Sequence, residues 1–286
     1  MRSVFLFLLA VSVYLCPTMA EAQDVQKIRE VAERFFQDLD ADTPGASVGV
    51  YRGPTAVYEG TFGMADLGWS VPVSTDTVFL LASVSKQFTG WAVASLAAEG
   101  MLDLDADIRE YIPEMHVFPQ VITVRHLVHH TSGLRDEFDL LGMAGYRMDD
   151  VITHDTVLNL AFGQRTLNFE PGSQYLYSNT GYSLLAEIVR RVSGQTLASW
   201  LTENVFERLD MHDTHVHDDY RAWKPRMAAG YEPADSTGVR RQIYSYENVG
   251  STGVFSTVRD LRPVNTTSAA ADESQFRVRQ GGRTEV

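Results

Sequence analysis

The chain has 286 residues, 44% hydrophobic and 21% charged, which excludes both a small disulfide-stapled module and a mainly disordered protein. Its formal charge of −13 argues against nucleic acid as a main partner, because phosphate binding needs concentrated Lys and Arg. Lys27, Lys86 and Lys224 are the only lysines and Cys16 the only cysteine, so any motif that requires either can be checked exhaustively.

In chain order, Arg2 followed by the apolar run Val4 to Leu15, too short to span a bilayer, reads as a secretory leader. Ala20-Glu21-Ala22 supplies small residues for cleavage before Gln23. Val13-Tyr14-Leu15 lacks the small residues that precede a lipidated cysteine. A mature chain beginning there has no cysteine, which removes disulfides, thiolate zinc sites and a cysteine nucleophile together. The expectation is a secreted or periplasmic protein with no transmembrane segment in the mature chain.

Asp24 to Leu39 places Val25, Ile28, Ala32, Phe35, Phe36 and Leu39 at helical spacing. Ala46–Tyr51 and Ala56–Phe62 read as a strand pair around the turn residues Arg52-Gly53-Pro54. Phe79 to Glu99 is a long apolar helix candidate ended by Gly100. Shorter helices are predicted at Arg125–His130, Thr156–Phe162, Tyr182–Val192 and Leu197–Arg208, followed by β-like sequence from Arg240 to Phe255. The order implies an α/β (α+β) domain with an inserted helical region over roughly 83–210. No repeat or low-complexity linker is evident. The segment Arg262 to Val286 carries four arginines against three acidic residues, without a clear period, in a chain that is otherwise acidic.

Ser83-Val84-Ser85-Lys86 sets a hydroxyl and an amine three residues apart, on one helical face. A serine needs something to remove its proton, and a lysine on an apolar helix is partly desolvated, which favours the basic form. Backbone N–H groups at a helix start favour a developing negative charge. The spacing alone decides nothing, since a surface lysine and a capping serine give the same text. Tyr177-Ser178-Asn179 offers a phenol for proton relay and an amide able to hold both a lysine and a carbonyl. It reads equally as a turn in which Asn179 caps the next helix, and Tyr246-Glu247-Asn248 repeats the pattern.

As a set, Ala82-Ser83-Val84-Ser85-Lys86-Gln87-Phe88-Thr89, His130-Thr131-Ser132-Gly133-Leu134 and Tyr177-Ser178-Asn179-Thr180-Gly181-Tyr182 closely resembles the serine β-lactamase-related family. That family includes class C β-lactamases, D-alanyl-D-alanine carboxypeptidases and related esterases. Pro44-Gly45-Ala46, Asp76-Thr77-Val78-Phe79, Leu209-Asp210-Met211 and Ser256-Thr257-Val258-Arg259-Asp260-Leu261 also look like family landmarks in the expected order. The resemblance covers roughly Ile28 to Leu261. It implies a β-lactamase/transpeptidase-like fold and a serine hydrolase acting on an amide or ester carbonyl: a β-lactam, a D-amino-acid peptide or an ester. Ser83 would be acylated, with its backbone N–H half of an oxyanion hole. Lys86 and Tyr177 would share proton transfer, and Asn179 would orient substrate and lysine. Tyr177, which precedes the Gly181-Tyr182 helix, is favoured over Tyr246. No cofactor is implied, and the partner would be a small molecule or a peptidoglycan-like peptide.

The resemblance departs at the third motif, Lys-Thr-Gly or His-X-Gly, because no lysine follows Lys224 and no histidine follows His217. The expected organisation is therefore a leader over 1–22, an incomplete hydrolase domain over 23–261 lacking its closing strands, and an atypical, non-native tail over 262–286. Loss of one oxyanion donor costs on the order of 10²–10³ in rate, so a non-catalytic acyl-trapping sensor or an inactive fragment is the alternative. A metallohydrolase is a rival through His215-Val216-His217-Asp218-Asp219-Tyr220, but Tyr220 stands where a ligand histidine is needed, so a solvated loop and no metal is the reading. His129 and His130 read as structural, and Phe88 and Trp91 as core.

Overall fold

In the computed structural model the described residues are 19–234 and 238–262, with side chains from Gln23 onward. Residues 1–18, with the apolar run and Cys16, and nearly all of the expected tail lie outside them, as do any strands beyond Arg262, whereas the expected cleavage point before Gln23 falls within the first helix. Helix α1 (Met19–Phe35) begins five residues before the predicted start and gives way to a turn through Phe36 and Leu39. Strands β1 (Ala46–Arg52) and β2 (Thr55–Phe62) form the expected antiparallel hairpin, pairing Ala46 with Phe62 and Arg52 with Thr55. Arg259 ties this hairpin to the rest of the domain by bonding Glu59 and Asp76, and Tyr51 donates to the Val258 carbonyl.

After a small pair, β3 (Met64–Asp66) with β4 (Val71–Pro72), the structure corrects the sequence reading. Phe79–Glu99 is not one helix. Phe79–Leu80 is strand β5, Ala82–Ser85 a 3-10 turn, and only Lys86–Ala98 is α-helix (α2). The reason lies in pairing and backbone: β5 is bonded to a strand far along the chain, and Ala82 has φ 46°. That left-handed conformation costs a non-glycine residue roughly 1–2 kcal/mol and cannot continue either element. Gly100, at φ 73°, ends the helix as expected.

The helical region follows with α3 (Val124–Val128), α4 (Glu137–Met143), α5 (His154–Gly163), α6 (Asn179–Ser193) and α7 (Leu197–Leu201), the last continuing as π and 3-10 turns to Leu209. Helix α4 was absent from the sequence reading. Helix α6 is the centre of the core, with Leu184, Leu185, Ile188 and Val189 fully buried. It starts where the Ser178 side chain accepts from the Gly181 N–H, so Ser178, not Asn179, is its cap. Helix α2 packs against α6, and Phe88 meets Phe206 edge to face.

The remaining strands are β6 (His215–Val216), β7 (Gly230–Pro233), β8 (Val239–Gln242) and β9 (Val254–Ser256). β7 and β8 form a hairpin, while β9 lies between β5 and β6, antiparallel to both. This three-stranded sheet brings residues 250–256 against the turn that carries Ser83. Leu81 N–H donates to the Val254 carbonyl, and the buried Ser85 hydroxyl accepts from Val254 N–H. Mixed helices and antiparallel strands agree with the α/β expectation.

Candidate active site

The abrupt turn at Ala82 presents Ser83 at the surface while the next helical turn sinks Lys86 into the interior, where it is 7% exposed. Residues three apart eclipse in a 3-10 turn, and Lys86 Nζ lies 3.3 Å from Ser83 Oγ. Two further oxygens enclose the amine at 2.7 Å each, Asn179 Oδ1 from the start of α6 and the Ser251 carbonyl from the segment before β9. The surface-lysine reading is therefore excluded. Tyr177 arrives from the other side, its hydroxyl 2.7 Å from Ser83 Oγ and its ring centroid 4.8 Å from Lys86 Nζ. The four sequence candidates Ser83, Lys86, Tyr177 and Asn179 thus meet at one point, open to solvent on the Ser83–Tyr177 side.

Several residues that the sequence reading missed hold this arrangement. Asp136 caps α4 by accepting from Phe138 N–H, and the same carboxylate accepts from Asn179 N–H at 2.6 Å and Asn179 Nδ2 at 3.0 Å. With its nitrogen engaged there, the amide must turn its oxygen to Lys86. The next residue, Glu137, has no solvent exposure. Its Oε1 accepts from Tyr246, Asn248 and Ser251 side chains, and its Oε2 meets Ser183 Oγ. Burial pushes this carboxyl above its ordinary range, and the same cause raises the Tyr246 phenol. The second Tyr-x-Asn pattern is thus a buried structural knot around Glu137. His130, at φ 58°, accepts from Ser178 N–H through Nδ1, and its ring lies 4.6 Å from that of Tyr177. Burial foremost, then the Lys86 charge, lowers its pKa, so it supports the Tyr177 loop as a neutral ring.

His215 and His217 pack against Phe255 and, with centroids 6.0 Å apart, edge to face against each other, and burial brings His215 down to about 4. Among the described residues, no three His, Cys, Asp or Glu side chains stand together as metal ligands. A groove of about 490 Å³ between α1 and the β1–β2 hairpin carries none of the four clustered side chains. No described helix is long and apolar enough to cross a membrane.

Comparison with known proteins adds descent to this geometry. Penicillin-binding protein 4* of Bacillus subtilis is 32% identical over 169 residues, 58% of this chain and 37% of that protein. A D-aminopeptidase of Gluconobacter oxydans is 27% identical over 219 residues, covering 76% of this chain and 41% of its own length. The chain therefore spans about two fifths of the length of these curated relatives. An octameric penicillin-binding protein homologue from Pyrococcus abyssi superposes with a TM-score of 0.76 at 26% identity, over 88% of this chain and 57% of that one. The beta-lactamase family profile matches residues 32–284, which takes in every side chain of the cluster around Ser83; the chain belongs to the beta-lactamase family.

Proposed function

We propose that the protein is a serine hydrolase that acts on an amide or ester carbonyl through an acyl-serine intermediate. The observation that carries this reading is the enclosure of Lys86 Nζ by Asn179 Oδ1, the Ser251 carbonyl and Ser83 Oγ. In its basic form the amine has two N–H groups, which the two oxygens at 2.7 Å engage, leaving its lone pair directed to the serine hydroxyl. Lys86 takes the Ser83 proton as Oγ bonds to the carbonyl carbon. Tyr177, at 2.7 Å from Oγ, relays a proton to the departing amine or alcohol as the carbon–heteroatom bond breaks. Water then attacks the acyl-serine, with the same pair returning the proton to Oγ. Asn179 orients the lysine and the incoming carbonyl, and the Ser83 N–H contributes to holding the oxyanion.

The family relatives named penicillin-binding protein and D-aminopeptidase support β-lactams and D-amino-acid peptides within the substrate field, and an acyl-serine mechanism extends it to simple esters. The apolar Val4–Leu15 run supports export to a secreted or periplasmic location. Intact mass spectrometry after incubation with a penicillin or a fluorophosphonate tests the reading. A one-to-one adduct absent from Ser83→Ala supports acyl-serine chemistry. With penicillin, substrate loss without a lasting adduct means turnover, and a lasting adduct means acyl trapping. Absence of both with either reagent refutes the proposal.

A further inference from the structure

A cavity of about 390 Å³ is lined by none of the four clustered side chains, but unlike the groove at α1 it reaches Ala82, Phe138 and Thr252, whose immediate chain neighbours form or brace the site. Ala82 immediately precedes Ser83, and Thr252 immediately follows Ser251, whose carbonyl holds Lys86. Phe138, one residue beyond Glu137, forms a side wall, stacked on Tyr246 with centroids 5.9 Å apart. Phe79 and Phe255, from the paired strands β5 and β9, also line it. No Asp, Glu, Lys or Arg is among the lining residues. Phe138, Met148 and Ile243 remain 39%, 51% and 69% exposed at its edge, with Met148 and Ile243 also bordering a groove that carries Arg147, Asp149, Glu232, Arg240 and Arg241.

We infer that this cavity is the acyl pocket of the site, and that the substrate class is an ester or amide of an uncharged, lipophilic carboxylic acid, aromatic or medium-chain aliphatic. The inference rests on the acyl-serine reading above and narrows its substrate field. Cavities of a few hundred Å³ with mostly apolar walls gain affinity by removing hydrocarbon from water. A substrate bearing a free α-ammonium, as an N-terminal D-amino acid does, would lose hydration there without a partner. The carboxylates around it are already engaged: Asp136 binds Asn179 and Phe138 N–H, Glu137 is enclosed by Tyr246, Asn248, Ser251 and Ser183, and in the adjoining groove Asp149 pairs with Arg147 and Glu232 with Arg240.

The test uses labelling rates of the full chain with ethyl and octyl fluorophosphonates, read by intact mass and corrected for their reactivity with hydroxide. In each reaction Ser83 Oγ bonds to phosphorus, fluoride leaves and the serine proton passes to the base. The octyl reagent should label at least tenfold faster. Filling the cavity with Ala229→Trp should bring that ratio toward one. Ile243→Glu, on the exposed rim where folding is not at stake, should lower it as well. Octanamide should slow labelling and D-alaninamide should not. Equal rates for both reagents, an unchanged ratio in both variants, or better protection by D-alaninamide overturns the pocket assignment while leaving acyl-serine chemistry intact. No labelling by either reagent refutes the underlying reading and the pocket with it.

Discussion

Replacement of Glu137 separates two things a buried carboxyl can do. Glu137→Gln keeps the shape and removes the titratable group; its oxygen can still accept from Tyr246, Asn248 and Ser251, while its nitrogen donates to Ser183 Oγ. Glu137→Ala leaves the donor groups of Tyr246, Asn248, Ser251 and Ser183 bonded only among themselves and to the Asn179 carbonyl, so the Tyr246 and Ser251 hydroxyls lose their acceptor at about 1–3 kcal/mol each, and with the void left behind a loss of about 3–5 kcal/mol is expected. Against a typical total stability of about 5–15 kcal/mol that is a large fraction. The folded-state pKa lies above the ordinary value of 4.5, so the folded protein holds a proton that the unfolded chain has released. This group's stabilisation is complete below pH 4.5 and is lost as the pH rises toward the folded-state pKa, at about 1.4 kcal/mol per pH unit. Urea unfolding of wild type, Glu137→Gln and Glu137→Ala at pH 5, 6, 7 and 8 measures all of this. The stability difference between Glu137→Gln and wild type should grow in favour of Gln as pH rises. A pH-independent difference, or Gln as damaging as Ala, refutes the account of Glu137 as a carboxyl held protonated by burial.

Substitutions at four other positions test the site and its supports. Asp136→Ala should lower stability by about 2–4 kcal/mol through loss of the α4 cap and of two bonds to Asn179, and should slow Ser83 labelling by fluorophosphonate, while Asp136→Asn keeps the cap and loses only part of each. Lys86→Met and Tyr177→Phe should each reduce the labelling rate by roughly 10²–10⁴ with little change in melting temperature for Tyr177→Phe, whose ring is 40% exposed; rates within threefold of wild type would remove either residue from proton transfer. Gly250→Ala should cost several kcal/mol in thermal unfolding, because Gly250 has φ 97° and an added Cβ would stand 2.3 Å from the Tyr182 carbonyl.

The parts legible in the sequence are those written by local pattern. The β1–β2 hairpin follows from alternation around Arg52-Gly53-Pro54, and α6 from its apolar stripe. The Phe79–Leu80 strand was hidden because Phe79 to Leu96 is rich in apolar residues throughout, and nothing local marks where a strand pairing with β9 ends and a helix begins. Only the left-handed Ala82 separates them, and alanine gives no warning of it. Helix α4 is seven residues long, too short for a period to emerge. Its first-turn signals were present, with Asp136 in a capping position before Glu137, but their roles depend on Asn179, Ser251 and Asn248, 43 to 114 residues away. The repeated Tyr-x-Asn text at 246–248 was a real signal of such a partner, since both Tyr246 and Asn248 bond the buried acid.

The start of α4 also explains why Lys86 is held so closely. Its two enclosing oxygens are each steadied by one of two consecutive acids: Asp136 fixes the Asn179 amide, and Glu137 fixes Ser251 through its hydroxyl. One short helix therefore governs the position of an amine that α2 carries, by way of α6 and the segment before β9. If both acids act on the same amine, their effects on Ser83 reactivity cannot be independent. Losing one oxygen lets Lys86 move, and a displaced amine gains less from the other. A double-mutant cycle of Asp136→Ala and Ser251→Ala, the second cutting the link from Glu137 to the Ser251 segment, read as fluorophosphonate labelling rate at fixed pH, should show a coupling of about 0.5–3 kcal/mol, the double variant being less impaired than the sum. Additivity within about 0.5 kcal/mol would mean that the two carboxyls support separate parts of the fold and that their adjacency in sequence has no catalytic consequence.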